Sequence, residues 1–129
     1  MMKKLIFLLI IILFCNGCEK DNSTNYSSSL IGKWSWLVSC GGFAGCSTPE
    51  STHTTMSLVF TVDSIYNVYQ HDSLVISSRF HVYKLIPADT KDTLNVLSYD
   101  QGSQTFSIKN DTLQMNSLGV FNSTFKRIR

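Results

Sequence analysis

The chain is poor in the features that announce most chemistry. Only 16% of its residues are charged and the net charge is +2. The basic residues are scattered, and Lys3 and Lys4 stand at the extreme N-terminus. No face or run is therefore basic enough to hold a phosphate backbone, so nucleic acid is not an expected partner. No serine stands in a Gly-x-Ser-x-Gly turn. The three histidines, His53, His71 and His81, follow no catalytic or metal-ligand spacing. Carboxylates fall in turn-forming stretches rather than as a facing acid–base pair, and Gly41-Gly42 opens no helix that could cradle a phosphate. The expectation is a protein that is not an enzyme, with no cofactor and no metal. The apolar run at residues 5–14 is too short for a membrane-spanning helix, which needs about 20 residues. No helical period competes with strand-like alternation from Gly32 onward.

What is present suffices for one folded domain. Hydrophobic residues make up 43% of the chain and aromatics 12%, enough for a core and too much for a disordered polymer. A short basic start followed by the ten apolar residues reads as a secretory signal. Cys15-Asn16-Gly17-Cys18 comes next. A small residue directly before a cysteine, just past the apolar run, resembles the lipobox of bacterial lipoproteins, with Cys18 as the acylated first residue of the mature chain. The pattern departs from the usual one, because Cys15 and Asn16 stand where Leu and Ala or Ser are common. Bulky Phe14 makes Cys15 the poorer acceptor, and an ordinary cleaved signal with a free thiol is the alternative. Residues 19–29 are a polar run that buries too little to fold; extended, they reach at most roughly 35–40 Å. Such a tether would let a domain stand off a membrane on an acyl anchor of the palmitate kind, stable when more than one chain inserts. The Glu and Lys after Cys18 resemble signals that send lipoproteins of the Bacteroidetes to the outer face of the outer membrane. The expected organisation is a signal peptide over 1–17, an acylated cysteine and tether over 18–29, and a domain over 30–129.

Within that domain, alternation predicts eight strands. The first, about 33–40, places Trp34, Trp36 and Val38 on one face. The second (54–62) turns Met56, Leu58, Phe60 and Val62 inward. The third (65–71) offers Tyr66 and Val68, the fourth (74–86) Ile76, Phe80 and Val82, and the fifth (93–99) Leu94 and Val96. The sixth (104–109) carries Phe106 and Ile108, the seventh (112–116) Leu113 and Met115, and the eighth (120–128) Phe121, Ser123, Phe125 and Arg127. Eight short antiparallel strands leave two raw edges unless they close, so an all-β, eight-stranded up-and-down barrel is the expected fold.

The opening Gly32-Lys33-Trp34 and the closing Phe125-Lys126-Arg127 strengthen this, because they resemble the first and last strands of lipocalins and of small lipocalin-like lipoproteins of the Bacteroidetes. The resemblance covers about 100 residues and includes the Gly-rich loop at 41–45. It implies a barrel floor built from Gly32, Trp34 and Arg127, the guanidinium lying over the indole. It also implies an interior that holds a small apolar ligand among Trp36, Phe60, Tyr66, Phe80 and Phe106.

Cys40 and Cys46 remain as an even pair in an oxidising compartment, so a disulfide is favoured. A metal site or two free thiols are the alternatives. Four times the chain reads Asp, then Ser or Thr, then an aliphatic residue, at Asp63-Ser64, Asp72-Ser73, Asp92-Thr93 and Asp111-Thr112. Aspartate's bond to its own backbone explains each as a turn. The pattern also resembles an O-glycosylation motif of the Bacteroidetes, which makes Ser64, Ser73, Thr93 and Thr112 candidate acceptors. Two functions follow as expectations for a monomeric envelope protein. One is a ligand-binding barrel; the other is a filled barrel that meets an envelope protein or glycan through Phe43, Thr48 and nearby rim residues.

Overall fold

A computed structural model describes residues 23–117 and 119–129. Cys15 and Cys18, with the signal and the first four residues of the polar run after it, lie outside them. The described elements are α1 (Ser23–Leu30), β1 (Gly32–Gly41), a 3-10 turn (Gly42–Ala44), β2 (Cys46–Ser47), α2 (Pro49–Thr52), β3 (Met56–Phe60), β4 (Ile65–Gln70), β5 (Ser73–Leu85), β6 (Leu94–Tyr99), β7 (Gly102–Lys109), β8 (Thr112–Ser117) and β9 (Phe121–Ile128). Each of β4 to β9 pairs antiparallel with the strand before it, and β1 pairs with β3 on one side and β9 on the other. The result is a closed, eight-stranded, up-and-down barrel, all antiparallel. Two-residue β2 lies alongside the far end of β1, paired at Ser39 and Cys40, beyond the stretch that β3 occupies.

Closure places Trp34 opposite Arg127 and Trp36 opposite Phe125. One end of the barrel, the floor, is sealed by α1 and this pair; the other end, where β1 finishes at Gly41, is the rim. The core runs from Leu30 and Trp34 at the floor through Phe60, Phe80, Leu97 and Phe106 to Leu58, Leu113 and Phe125. Phe60 stacks on Tyr66 with centroids 5.0 Å apart and meets Phe80 edge-on at 5.3 Å, geometries that aromatic quadrupoles favour.

Four sequence expectations change. Residues 23–29, expected as the end of a tether, form α1 with Leu30. Serine, threonine and asparagine are poor helix formers, so docking rather than propensity holds this turn: Leu30 is fully buried and α1 lies against β5. Val38 does not share the face of Trp36, because a bulge between them shifts the register and turns Ser39 inward toward Ser123. Val62 lies beyond the end of β3, in the turn, and is exposed. In β6 the faces are exchanged. Leu97, opposite Val82, enters the core, whereas Leu94 is exposed and Val96 takes the outer face between its register partners Tyr83 and Thr105. Leu94-Asn95-Val96-Leu97 offers apolar residues in both phases, so alternation could not choose between them.

Candidate functional site

The floor is a hydrogen-bonded plug. Helix α1 ends with carbonyls that have no partner inside the helix. The indole Nε1 of Trp34 donates to Leu30 O at 2.8 Å, while Arg127 donates through Nη2 to Ser29 O at 2.6 Å and through Nη1 to Ile31 O at 2.9 Å. The guanidinium carbon lies 4.1 Å from the centroid of the Trp34 ring. Gly32, at φ 128°, leaves the space this requires, since a Cβ there would sit 3.0 Å from Nη1. Asp111 stands 3.8 Å from Nε and holds Arg129 at 2.9 Å. Gly32, Trp34 and Arg127 thus share one structural assembly that fixes the N-terminal helix to the barrel.

Toward the rim the interior opens. A cavity of about 240 Å³ is bounded by Met56 and Leu58 of β3, Tyr66 and Val68 of β4, Ile76 of β5, and Tyr99 of β6. Gln101, Gln104, Met115, Ser123 and Phe125 complete it. Of the five aromatics expected to hold a ligand, only Tyr66 reaches this space. Trp36, Phe60, Phe80 and Phe106 are buried core residues that do not line it. Alternation identified them as inward-facing and could not say which depth would be filled. Met56, Met115 and Ile76 carried the same inward signal, while Gln104 and Ser123 were polar positions on inward phases. Tyr99 was missed together with the phase of β6.

The cavity is mostly apolar and carries no charge. Gln104 Nε2 donates to the Tyr99 hydroxyl at 2.7 Å, and the Tyr66 and Tyr99 rings lie 5.3 Å apart. Burial, reinforced by Tyr99, pushes the Tyr66 phenol well above the ordinary tyrosine range. Trp36 Nε1 donates to Ser39 Oγ at 2.8 Å, and the Ser39 and Ser123 hydroxyls bond at 2.7 Å. This chain satisfies the polar atoms that the bulge turned inward. Drug-sized ligands occupy roughly 300–1,000 Å³, so this space suits one ring or a short branched chain that is neutral and accepts or donates a single hydrogen bond. A larger outer depression of about 430 Å³, beside Ser107, Lys109, Asn110, Thr112 and Gln114, is lined by a polar hairpin on the outside of the wall.

Above the cavity stands the loop from Gly41 to Thr54. Cys40 and Cys46 are bonded as opposed residues of β1 and β2, 4.0 Å between Cα atoms. Gly41 has φ 153°, and a Cβ there would fall 2.0 Å from Val120 O, so only glycine lets β1 cross β9 at this point. Phe43 projects fully into solvent, with Val120 and Phe121 half exposed nearby. Phe121, expected inward, keeps that phase but has no roof above it. Thr48 is not a free rim contact. It caps α2, accepting from Ser51 N at 3.2 Å while Thr48 N donates to Ser51 Oγ at 2.9 Å. Among the candidate acceptor hydroxyls, Ser73 and Thr93 are exposed, whereas Ser64 and Thr112 are half-buried. His71 Nε2 meets His53 O at 3.0 Å, and among the described residues no three His, Cys, Asp or Glu side chains converge on a point.

No protein-family model, curated protein or solved structure matches the chain.

Proposed function

We propose that this protein is a non-catalytic binding barrel of the bacterial envelope, anchored through an acylated Cys18, whose mouth receives a small neutral apolar group. The observation that carries the binding part is the cavity at the rim end, apolar on most sides, uncharged, and furnished with the Tyr66 and Tyr99 phenols and the Gln104 amide. The filled lower half argues against a long lipid lying along the barrel axis. The anchoring part rests on the sequence before Ser23 and has its own test. Metabolic labelling with a radioactive fatty acid should mark the wild-type protein and leave Cys18→Ser unlabelled and washable from membranes.

For binding, native mass spectrometry of protein released from its own membrane should reveal a bound mass that disappears in Ser123→Trp, where an indole fills the space. Absence of added mass in the wild type would remove the small-ligand reading. A second reading, contact with an envelope protein or glycan through the rim, draws on the full exposure of Phe43 beside Val120 and Phe121. An apolar cluster of this kind on a disulfide-braced loop is a recognised mark of interaction surfaces.

A further inference from the structure

The barrel wall is not paired along its whole height. β5 is thirteen residues long, but its two neighbours use different halves of it. β4 pairs with Ser73 to Arg79, and β6 pairs only with Phe80 to Leu85. The β6 chain turns away at Asp100, whose N–H donates to the buried Ser78 hydroxyl at 3.0 Å. The rim half of β5 therefore has one open edge. Phe80 N donates to Ser64 O on the β4 side, so strand alternation directs the main-chain groups of Ser77 away from β4, toward the opening. β6 does not reach Ser77, since its pairing with β5 begins at Phe80. An open edge is a template for another strand. The usual guards are few here: there is no proline and no lysine from Ser73 to Arg79, and the single irregularity is the β4–β5 register shift at Val75, between Leu74 and Ile76. Leu74 and Val75 are each about half exposed, at 53% and 52%.

The cavity opens beside this edge. Ile76 borders it from β5, and Tyr99, Gln101 and Gln104 border it from the other side of the gap. We infer that the open edge of β5, from Ser73 to Arg79, receives an extended, uncharged segment of a partner polypeptide as an added strand, with one bulky apolar side chain seated in the rim cavity. Main-chain groups on a strand edge that the neighbouring strand does not cover select an extended backbone. The adjoining 240 Å³ space selects one large side chain on the inward phase. The inference rests on the binding reading above only in making the cavity the seat of an apolar group; the strand addition stands on the edge alone.

The test uses the capped peptide Thr-Val-Thr-Phe-Thr-Val-Thr with the whole mature protein, read by amide hydrogen exchange in NMR. The Ser77 amide should exchange fast without peptide and slow at least tenfold with millimolar peptide. Replacing the peptide's Phe by Ala should weaken binding about tenfold. N-methylation of alternate peptide amides should abolish binding on one phase and spare it on the other, a readout that leaves the protein unaltered. Ser77→Pro should abolish binding, because proline removes the donor at an edge position that tolerates it, while Ser77→Ala should bind normally. Unchanged exchange at Ser77 would overturn the inference, even if p-cresol perturbs Tyr66 and Tyr99 and so upholds the cavity. Edge protection with equal affinity for the Phe and Ala peptides would remove the cavity's role. Concentration-dependent protection without peptide would overturn the choice of occupant in favour of a second copy of this chain.

Discussion

Arg127 touches four things at once: the face of Trp34, the carbonyls of Ser29 and Ile31, and the carboxylate of Asp111. The first three decide its worth. A cation over an indole contributes ~0.5–2 kcal/mol, and carbonyls left without donors in a half-buried place cost about 1–3 kcal/mol. The exposed Asp111–Arg129 pair contributes little. Arg127→Ala should therefore lower unfolding free energy by about 2–4 kcal/mol, measured by urea denaturation. Arg127→Lys should recover less than half of that, since an ammonium cannot serve both carbonyls from one plane. Equal stability of Arg127→Ala and wild type would refute the plug. Tyr66 makes the second prediction at this scale. Its phenol is held protonated by burial and by Tyr99, so the folded state binds that proton more tightly than the unfolded chain, where tyrosine titrates near pH 10. The resulting stability is fully present below about pH 10 and is lost as pH rises beyond it. Tyr66→Phe should flatten the alkaline side of the stability curve, and absorbance titration near 295 nm should show one tyrosine fewer ionising late.

Among the elements, the hairpins were the most legible. Three of the four Asp-Ser/Thr signals sit at turns and the fourth, Asp92-Thr93, in the connection before β6, and His71-Asp72 adopts positive φ at both positions, as a two-residue hairpin loop between Gln70 and Ser73 requires. The phases of β3, β4, β5, β7 and β8 were also readable, because each alternates with only one apolar phase over most of its length. Three things were not. The bulge after Trp36 is a one-residue event that a period-2 pattern cannot carry. β6 has apolar residues on both phases. Helix α1 has no helical signal at all, since its stability comes from Leu30 and from donors nearly a hundred residues away. That last point is testable. Leu30→Ala should cost about 2–4 kcal/mol by emptying a fully buried position at the floor. It should also make residues 23–29 cleavable by protease at concentrations that leave the barrel intact. A fall in stability with no new cleavage would mean that α1 stays docked without its anchor. The disulfide loop behaves oppositely. Cys40→Ser with Cys46→Ser should lose about 2 kcal/mol through loop entropy and leave the floor untouched, as judged by an unchanged Trp34 environment.

At the scale of the whole molecule, α1 fixes where the chain leaves the barrel. A free tether from residue 19 to 29 would let the domain tumble up to ~35–40 Å from its anchor. With α1 docked at the floor, four residues separate Cys18 from Ser23, and a stretch of that length spans at most roughly 13–14 Å. An acyl group on Cys18 would then hold the floor toward the bilayer and point the rim outward, together with the Phe43 loop, the cavity mouth and the open β5 edge. This would put every surface assigned to binding on the solvent side, and it distinguishes an oriented receptor from a loosely tethered one. The β5–β6 connection lies at the floor and the Asp100-Gln101 turn at the rim, so they make a natural pair of probes. With bimane attached at Asp92→Cys or Gln101→Cys in the acylated protein, brominated lipids should quench the first strongly and the second weakly. Adding Leu30→Ala, which frees α1, should bring the two values together. Equal quenching in the otherwise native protein, or stronger quenching at Gln101→Cys, would show that the docked helix does not set the orientation.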